Sequence, residues 1–259
     1  MKKKKIKKLQ DSVLLRVCQI GFLAVLLILW EIGVRQGLIS EFLFASPSKI
    51  CITLWSRIMS GELFQDLLIT GKETIFGFVL GSLLGSLIGL LLWCSEKVAK
   101  FSSPYVAAIG SIPVMVLSPL VIIWFGTGMA SKIAIVTFSC VFVSLSTAYE
   151  GAMQVDSDLL NLMRSFGASK FKIFCKVVVP SSMSWVVSGF KMNIGFAVVG
   201  AIVGEYISSD AGIGHMILKG SSSFHIHVTL AGLVATMIFV FLLNIFVGAL
   251  EKILLRWKK

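Results

Sequence analysis

Three long stretches of the chain, residues 74–95, 101–131 and 220–250, contain no Asp, Glu, Lys or Arg. An apolar run of roughly 20 residues is what a helix needs to cross a bilayer. A water-soluble domain cannot hide several such runs, because folded domains keep much of their surface exposed. The whole chain agrees. Its 259 residues are 56% hydrophobic and 14% charged, against about 45–50% and about 25% in soluble domains. Its mean hydropathy is +0.92. The same numbers exclude a disordered chain, so an integral membrane protein remains.

The apolar segments fall at about 13–30, 74–94, 104–125, 131–149, 184–207 and 228–250, which predicts six transmembrane helices and an all-α, polytopic fold. The uncharged stretch 101–131 is too short for two spans, and Gly126-Thr127-Gly128 near its end marks a turn. The lysine-rich start resembles a secretory signal. Its apolar stretch, however, runs on to Trp30 and meets Glu31 and Arg35 without a small-x-small cleavage site. It reads as an uncleaved first span with an internal N-terminus.

Charge then orients the bundle. With the N-terminus inside, the inner segments collect Lys2, Lys3, Lys4, Lys5, Lys7, Lys8, Arg16, Lys97, Lys100, Arg164, Lys170, Lys172, Lys176, Lys252, Arg256, Lys258 and Lys259. The outer segments hold Arg35, Lys49, Arg57, Lys72, Lys132 and Lys219. That is 17 basic residues against 6, with Lys191 inside a span, and it places both termini in the cytoplasm. The net charge of +11 is therefore a topology signal, and no nucleic-acid partner is expected. The five cysteines (Cys18, Cys51, Cys94, Cys140, Cys175) are scattered, with no C-x-x-C pair. Neither a disulfide framework nor a zinc site is supported.

Within the spans, Gly77, Gly81, Gly85 and Gly89 recur every four residues, a face on which a neighbouring helix packs closely or slides. Gly195, Gly200 and Gly204 repeat the device. Pro113 and Pro119 each remove a helical hydrogen bond from the third span, which predicts kinks or breaks. Residues 31–72 read as an irregular outer segment with an interfacial helix. A transporter or channel fits these features better than an inert anchor. Lys191 and Glu205 are 14 residues apart on one span, about 21 Å along a helix axis, so they cannot pair directly. Lys191 is expected to snorkel inward or to contact an anionic solute. Glu205 is expected at the outer mouth, hydrogen-bonded to a neighbouring span in a structural or gating role. The His225-Ile226-His227 pair and His215 have no Cys or carboxylate to complete a metal site. Ser188 is expected a membrane thickness away from all three histidines, which disfavours an intramembrane serine protease.

Residues 150–183 form the longest cytoplasmic loop. Asp156 or Ser157 suits an N-cap, with Asp158 in the first turn. Leu159, Leu160, Leu162, Met163 and Phe166 supply an apolar face, Arg164 sits near the helix end, and Gly167 stops it. Ser169 caps a second short helix with Phe171, Phe174, Val177 and Val178, ending before Pro180. This helix–glycine–helix unit is too short and too charged to span a bilayer. Its apolar face needs a cover, either lipid or a groove on a soluble partner.

Here the chain resembles the ABC importer permeases, whose cytoplasmic signature Glu-Ala-Ala-x3-Gly-x9-Ile-x-Leu-Pro meets the ATP-binding subunits. Gly167, nine residues, then Val177-Val178-Val179-Pro180 fit its spacing, while Asn161 stands at the acidic position. Ala45-Ser46-Pro47-Ser48, Ser111-Ile112-Pro113, Pro119-Leu120, Trp124-Phe125-Gly126-Thr127-Gly128, Gly189-Phe190-Lys191, Glu205 and Gly212-Ile213-Gly214 look like the branch importing nitrate, sulfonates, taurine or bicarbonate. The resemblance covers roughly residues 45–250.

It implies a single permease domain over 1–259 with a coupling loop at 150–183. The expected partners are a second permease copy, two ATP-binding cassette subunits, an extracytoplasmic solute-binding protein and the bilayer. ATPase coupling is expected through Asp156, Asp158, Asn161, Arg164, Phe166, Gly167, Phe171, Phe174 and Pro180. The translocation path is expected to include Ser111, Pro113, Lys191, Asn193 and Glu205. The chain contains no G-x-x-x-x-G-K-[ST] loop. It is therefore expected to bind no cofactor, with ATP and Mg held by the partner. The solute is expected to be a small organic or inorganic anion, the alternative being a thiamine precursor or another heteroaromatic vitamin. A passive channel would not need the coupling loop.

Overall fold

The computed structural model describes residues 2–254, all of whose regular elements are helices. Arg256, Lys258 and Lys259, counted above as inner charges, lie outside the described residues. Five helices contain segments long and apolar enough to span a membrane: Val17–Arg35, Glu62–Leu92, Met129–Met153, Lys170–Ile207 and Ile226–Ala249. A sixth apolar segment is the pair Glu96–Gly110 and Val114–Phe125, bent by 92°.

In chain order the helices are α1 (Lys2–Arg35), α2 (Glu41–Phe44), α3 (Pro47–Met59), α4 (Glu62–Leu92), α5 (Glu96–Gly110), α6 (Val114–Phe125) and α7 (Met129–Met153). They continue with α8 (Ser157–Ser165), α9 (Lys170–Ile173), a π-helical turn at Phe174–Val178, α10 (Val179–Ile207), α11 (Ile213–Ser222) and α12 (Ile226–Leu254). The bundle thus has an α8 end and an α11 end, with α4, α7 and α10 running between them.

The centre is the triple packing of α4, α7 and α10. A Cβ built on Gly81, Gly85 or Gly89 would lie 2.5, 2.1 or 2.3 Å from the carbonyl oxygens of Thr137, Val141 and Leu145. One on Gly77 would meet Val136 Cβ at 2.4 Å. Only glycine lets these two backbones come so close. The dispersion attraction between them then holds the helices together where lipid gives no hydrophobic drive. On α10, Gly200 and Gly204 likewise back onto Val136 and Lys132 of α7, whereas Gly195 has no neighbour within 4 Å. Asn193 ties the three helices further. Its Nδ2 donates to Ser82 Oγ on α4 at 2.9 Å, and to Ser144 Oγ (2.6 Å) and the Cys140 carbonyl (3.1 Å) on α7.

Several boundaries differ from the sequence reading, each for a physical reason. α4 begins at Glu62 rather than near 74, because Thr70, Gly71 and Glu73 are buried by protein and the helix continues past the apolar stretch. Pro113 breaks its span outright, while Pro119 sits inside α6 without interrupting it. There Ser118 Oγ donates to the Val114 carbonyl at 2.8 Å. The helix after Ser169 does not end before Pro180. It runs through the π-helical turn into α10, with Pro180 in the first turn of α10. The Val179 N–H reaches back five residues to the Phe174 carbonyl, a wider turn that absorbs the register lost at the proline.

In the 31–72 segment, Ser46 caps α3 by accepting from the Lys49 N–H at 3.3 Å, and Pro47 occupies the first turn. Ser48 donates from N and Oγ to Glu31 at 3.0 and 2.8 Å. That Ala-Ser-Pro-Ser sequence therefore pins α3 to the end of α1.

Candidate functional site

At the α8 end, the loop between α7 and α10 is built from local signals. Asp156 Oδ1 accepts the Asp158 N–H at 2.8 Å, which caps α8 and offsets its positive N-terminal end together with Asp158. Gly167 closes the helix at φ +72°. The Gly167 N–H donates to the Arg164 carbonyl (2.9 Å) and the Ala168 N–H to that of Met163 (3.0 Å). This paired closure needs a left-handed residue at its centre. Ser169 Oγ then accepts from the Lys172 N–H at 3.3 Å and starts α9. Helix, glycine, helix is the observed order.

No residue of α8 is buried. Leu159 and Leu162 are exposed, and Phe166 and Phe171 are 77% and 76% exposed. Leu160 and Met163 pack back onto the bundle, while Leu159, Leu162, Phe166 and Phe171 form an apolar face left exposed among the described residues. Phe174 turns the other way: it is buried and stacks on Trp93 at the end of α4, with ring centroids 6.1 Å apart. Ile173, Phe174 and Val178 pack with Leu90, Ala148, Ala152 and Val186 into one cluster. The segment Ile173–Val178 is therefore packed directly against α4, α7 and α10. Arg164 donates to Asn161 Oδ1 at 3.3 Å, so the residue at the acidic position of the signature is bound to its own helix.

The residues expected along a path are spread out. Ser111 and Pro113 form the exposed break between α5 and α6. Lys191 pairs with Glu251 of α12 at 2.5 Å. Asn193 and Glu205 are both fully buried inside the chain.

Glu205 belongs to a polar cluster at the α11 end. Thr70 Oγ1 donates to Glu205 Oε1 at 2.6 Å, and the Gly214 N–H donates to Oε2 at 2.6 Å. Glu73 lies beside it, and Lys132, buried at the start of α7, faces both carboxyl groups and donates to the Thr127 carbonyl. Asp66 accepts the Gly212 N–H at 2.9 Å. The sequence reading did not single out Asp66, Thr70, Glu73 or Lys132. For the α4 residues the signal is the spacing: Asp66, Thr70, Glu73 and Gly77 follow at four, three and four residues, extending the glycine face by about three turns. Among the described residues, no three His, Cys, Asp or Glu side chains group as a metal site.

Long apolar helices, a close-packed three-helix centre and an exposed loop wired into it define a polytopic permease. Residues 77–259 match the family described as the binding-protein-dependent transport system inner membrane component, and the chain belongs to that family. It is thus the membrane-spanning permease subunit of an ABC importer.

It is 28% identical over 235 residues to the aliphatic sulfonates transport permease protein SsuC of Bacillus subtilis, covering 91% of this chain and 85% of that one. The riboflavin transport system permease protein RibX of Chloroflexus aurantiacus is 29% identical over 243 residues, covering 91% and 88%. In fold, the chain resembles a chain of the MetNI methionine ABC transporter in an inward-facing form. The TM-score is 0.68 at 18% identity, covering 76% of this chain and 97% of that one.

Proposed function

We propose that residues 1–259 act as one permease domain and that the loop at 150–183 docks into the ATP-binding subunits of the importer. The exposed side chains of Leu159, Leu162, Phe166 and Phe171, in a loop closed at Gly167 and anchored by Phe174, carry this reading. Asp156, Asp158, Asn161 and Arg164 hold α8 in shape. Phe166 and Phe171 insert into the partner's groove as apolar anchors. Phe174 and Pro180 pass the movement on to α10. ATP and Mg stay on the partner, so the energy enters through differential contacts that bias two arrangements of the bundle.

In this reading two copies of the chain pair around the path, two ATPase subunits sit at the α8 end, and a solute-binding protein delivers at the α11 end. The α8 end and both termini are cytoplasmic, as the distribution of Lys and Arg favours. Small sulfonates, taurine among them, are the favoured solutes, supported by the similarity to SsuC. A heteroaromatic vitamin is the second reading, supported by the similarity to RibX.

Reconstitution with the neighbouring ATPase and binding protein tests the assignment. Solute uptake should require ATP, and Gly167→Val, which forces a β-branched residue into a left-handed conformation, should abolish uptake while leaving insertion intact. Normal uptake by that variant would overturn the coupling assignment. Uptake without any ATPase would identify a channel.

A further inference from the structure

Three consecutive N–H groups at the start of α11 are held from outside that helix. Asp66 Oδ1 accepts from Gly212 at 2.9 Å, Thr70 Oγ1 from Ile213 at 3.0 Å and Glu205 Oε2 from Gly214 at 2.6 Å. The Glu205 carboxyl has little room to turn aside, because a Cβ on Gly212 or Gly214 would lie 2.3 or 2.8 Å from its side chain. The docking of α11 on α4 and α10 thus depends on where this carboxyl sits.

A second acid crowds it. The Glu73 carboxyl lies within hydrogen-bond reach of Glu205, and the two residues are 2% and 0% exposed. Lys132 faces both, yet among the described residues neither acid makes an ion pair with it or with any other cation. Nearby, Asp66 is paired with Arg57 of α3 at 3.9 Å and faces His215 of α11, and Asp210 faces Lys132. On α12, residues 228–250 carry no charge. Two ionised carboxylates against one lysine would leave a net negative charge buried and unscreened.

The hydrogen bonds distinguish the two acids. Thr70 Oγ1 accepts from Ile213 and gives its single proton to Glu205 Oε1 at 2.6 Å, while the Gly214 N–H fills Oε2. Glu205 therefore accepts at both oxygens, as a carboxylate does. Glu73 Oε2 is buried, and among the described residues no donor reaches it. An ionised oxygen in that position is costly, whereas a protonated one supplies its own donor.

We propose that Glu73 is a protonated acid that donates to Glu205, and that this shared proton holds α11 docked. The charges of Glu205 and Lys132 then balance. Removing the proton sets two carboxylates against each other. Glu205 cannot retreat, so the repulsion is relieved by release of Gly214, and α11 loosens as pH rises. Resting on the orientation proposed above, α11 is a proton-held latch at the outer face.

Infrared spectroscopy and hydrogen exchange on the purified full chain test this without solute or ATPase, and so separately from the transport assignment. At neutral pH, Glu73→Gln should remove a carboxylic-acid C=O band that shifts in heavy water. Exchange of the α11 amides is compared between wild type and Glu73→Gln at equal pH, so that intrinsic rates cancel. It should match at about pH 6 and be about tenfold faster in the wild type at about pH 9. An acid band that Glu73→Gln leaves intact, or the same pH response of α11 in both proteins, would overturn the proposal. If Glu73→Gln does not fold, Glu73→Asp decides: it should move the acid band, and a band left in place would overturn the proposal.

Discussion

The Thr70 hydroxyl on α4 donates to Glu205 Oε1 on α10 at 2.6 Å and accepts from the Ile213 N–H at 3.0 Å. One side chain thereby joins two spans to the start of α11. Thr70→Val would strip a buried carboxyl oxygen and a buried N–H of their partner, at a cost of about 1–3 kcal/mol. In detergent, that variant should melt lower by about 2–4 °C for each kcal/mol lost. Thr70→Ser, which keeps the hydroxyl, should melt close to the wild type. Equal melting of Val and Ser variants would show that the bond contributes nothing.

Gly85 and Gly195 should respond oppositely to the same substitution. A Cβ at Gly85 would sit 2.1 Å from the Val141 carbonyl oxygen, while none of the surroundings of Gly195 lies within 4 Å. Gly85→Ala must push α4 away from α7 and should destabilise by about 1–3 kcal/mol or more. Gly195→Ala should be neutral or stabilise by about 0.5–1 kcal/mol through helix propensity. Yield of monodisperse protein and its melting temperature compare the two, and matching behaviour would refute the close-packing argument.

Asp156 should matter through the shape of α8. This nine-residue helix has no fully buried residue and packs on the bundle through Leu160 and Met163, so loss of a cap worth about 1 kcal/mol should fray its first turn. Asp156→Ala is expected to lower ATP-driven uptake several-fold, and Asp156→Asn, which still accepts the Asp158 N–H, to restore most of it. A fully active Ala variant would mean that the partner alone imposes the helix.

Lys191 and Glu251 are both partly exposed, so their 2.5 Å pair should contribute only about 0.5 kcal/mol. A double-mutant cycle with Lys191→Met and Glu251→Gln, read by thermal unfolding, should give a coupling of that size. Uptake by Lys191→Met that stays near wild type would place Lys191 outside the solute path. A large loss in uptake without loss of stability would place it within.

The sequence by itself determined the membrane setting, the apolar segments and the helix–glycine–helix order of the loop at 150–183. These rest on short-range physics. Apolar length sets a span, Asp156 and Ser169 start helices, and Gly167 ends one because the left-handed conformation there favours a residue without Cβ. Only tertiary structure decided which residues meet. Glu73 and Lys132 read as charges flanking apolar stretches, yet they are buried beside Glu205 because the glycine face of α4 draws α7 and α10 together at that depth. Phe174 and Phe171 look alike on one short helix, and one is buried against Trp93 while the other is exposed. Close approach between segments far apart in the chain leaves little trace in local sequence, since its signal is spacing on a face whose partner is not yet known.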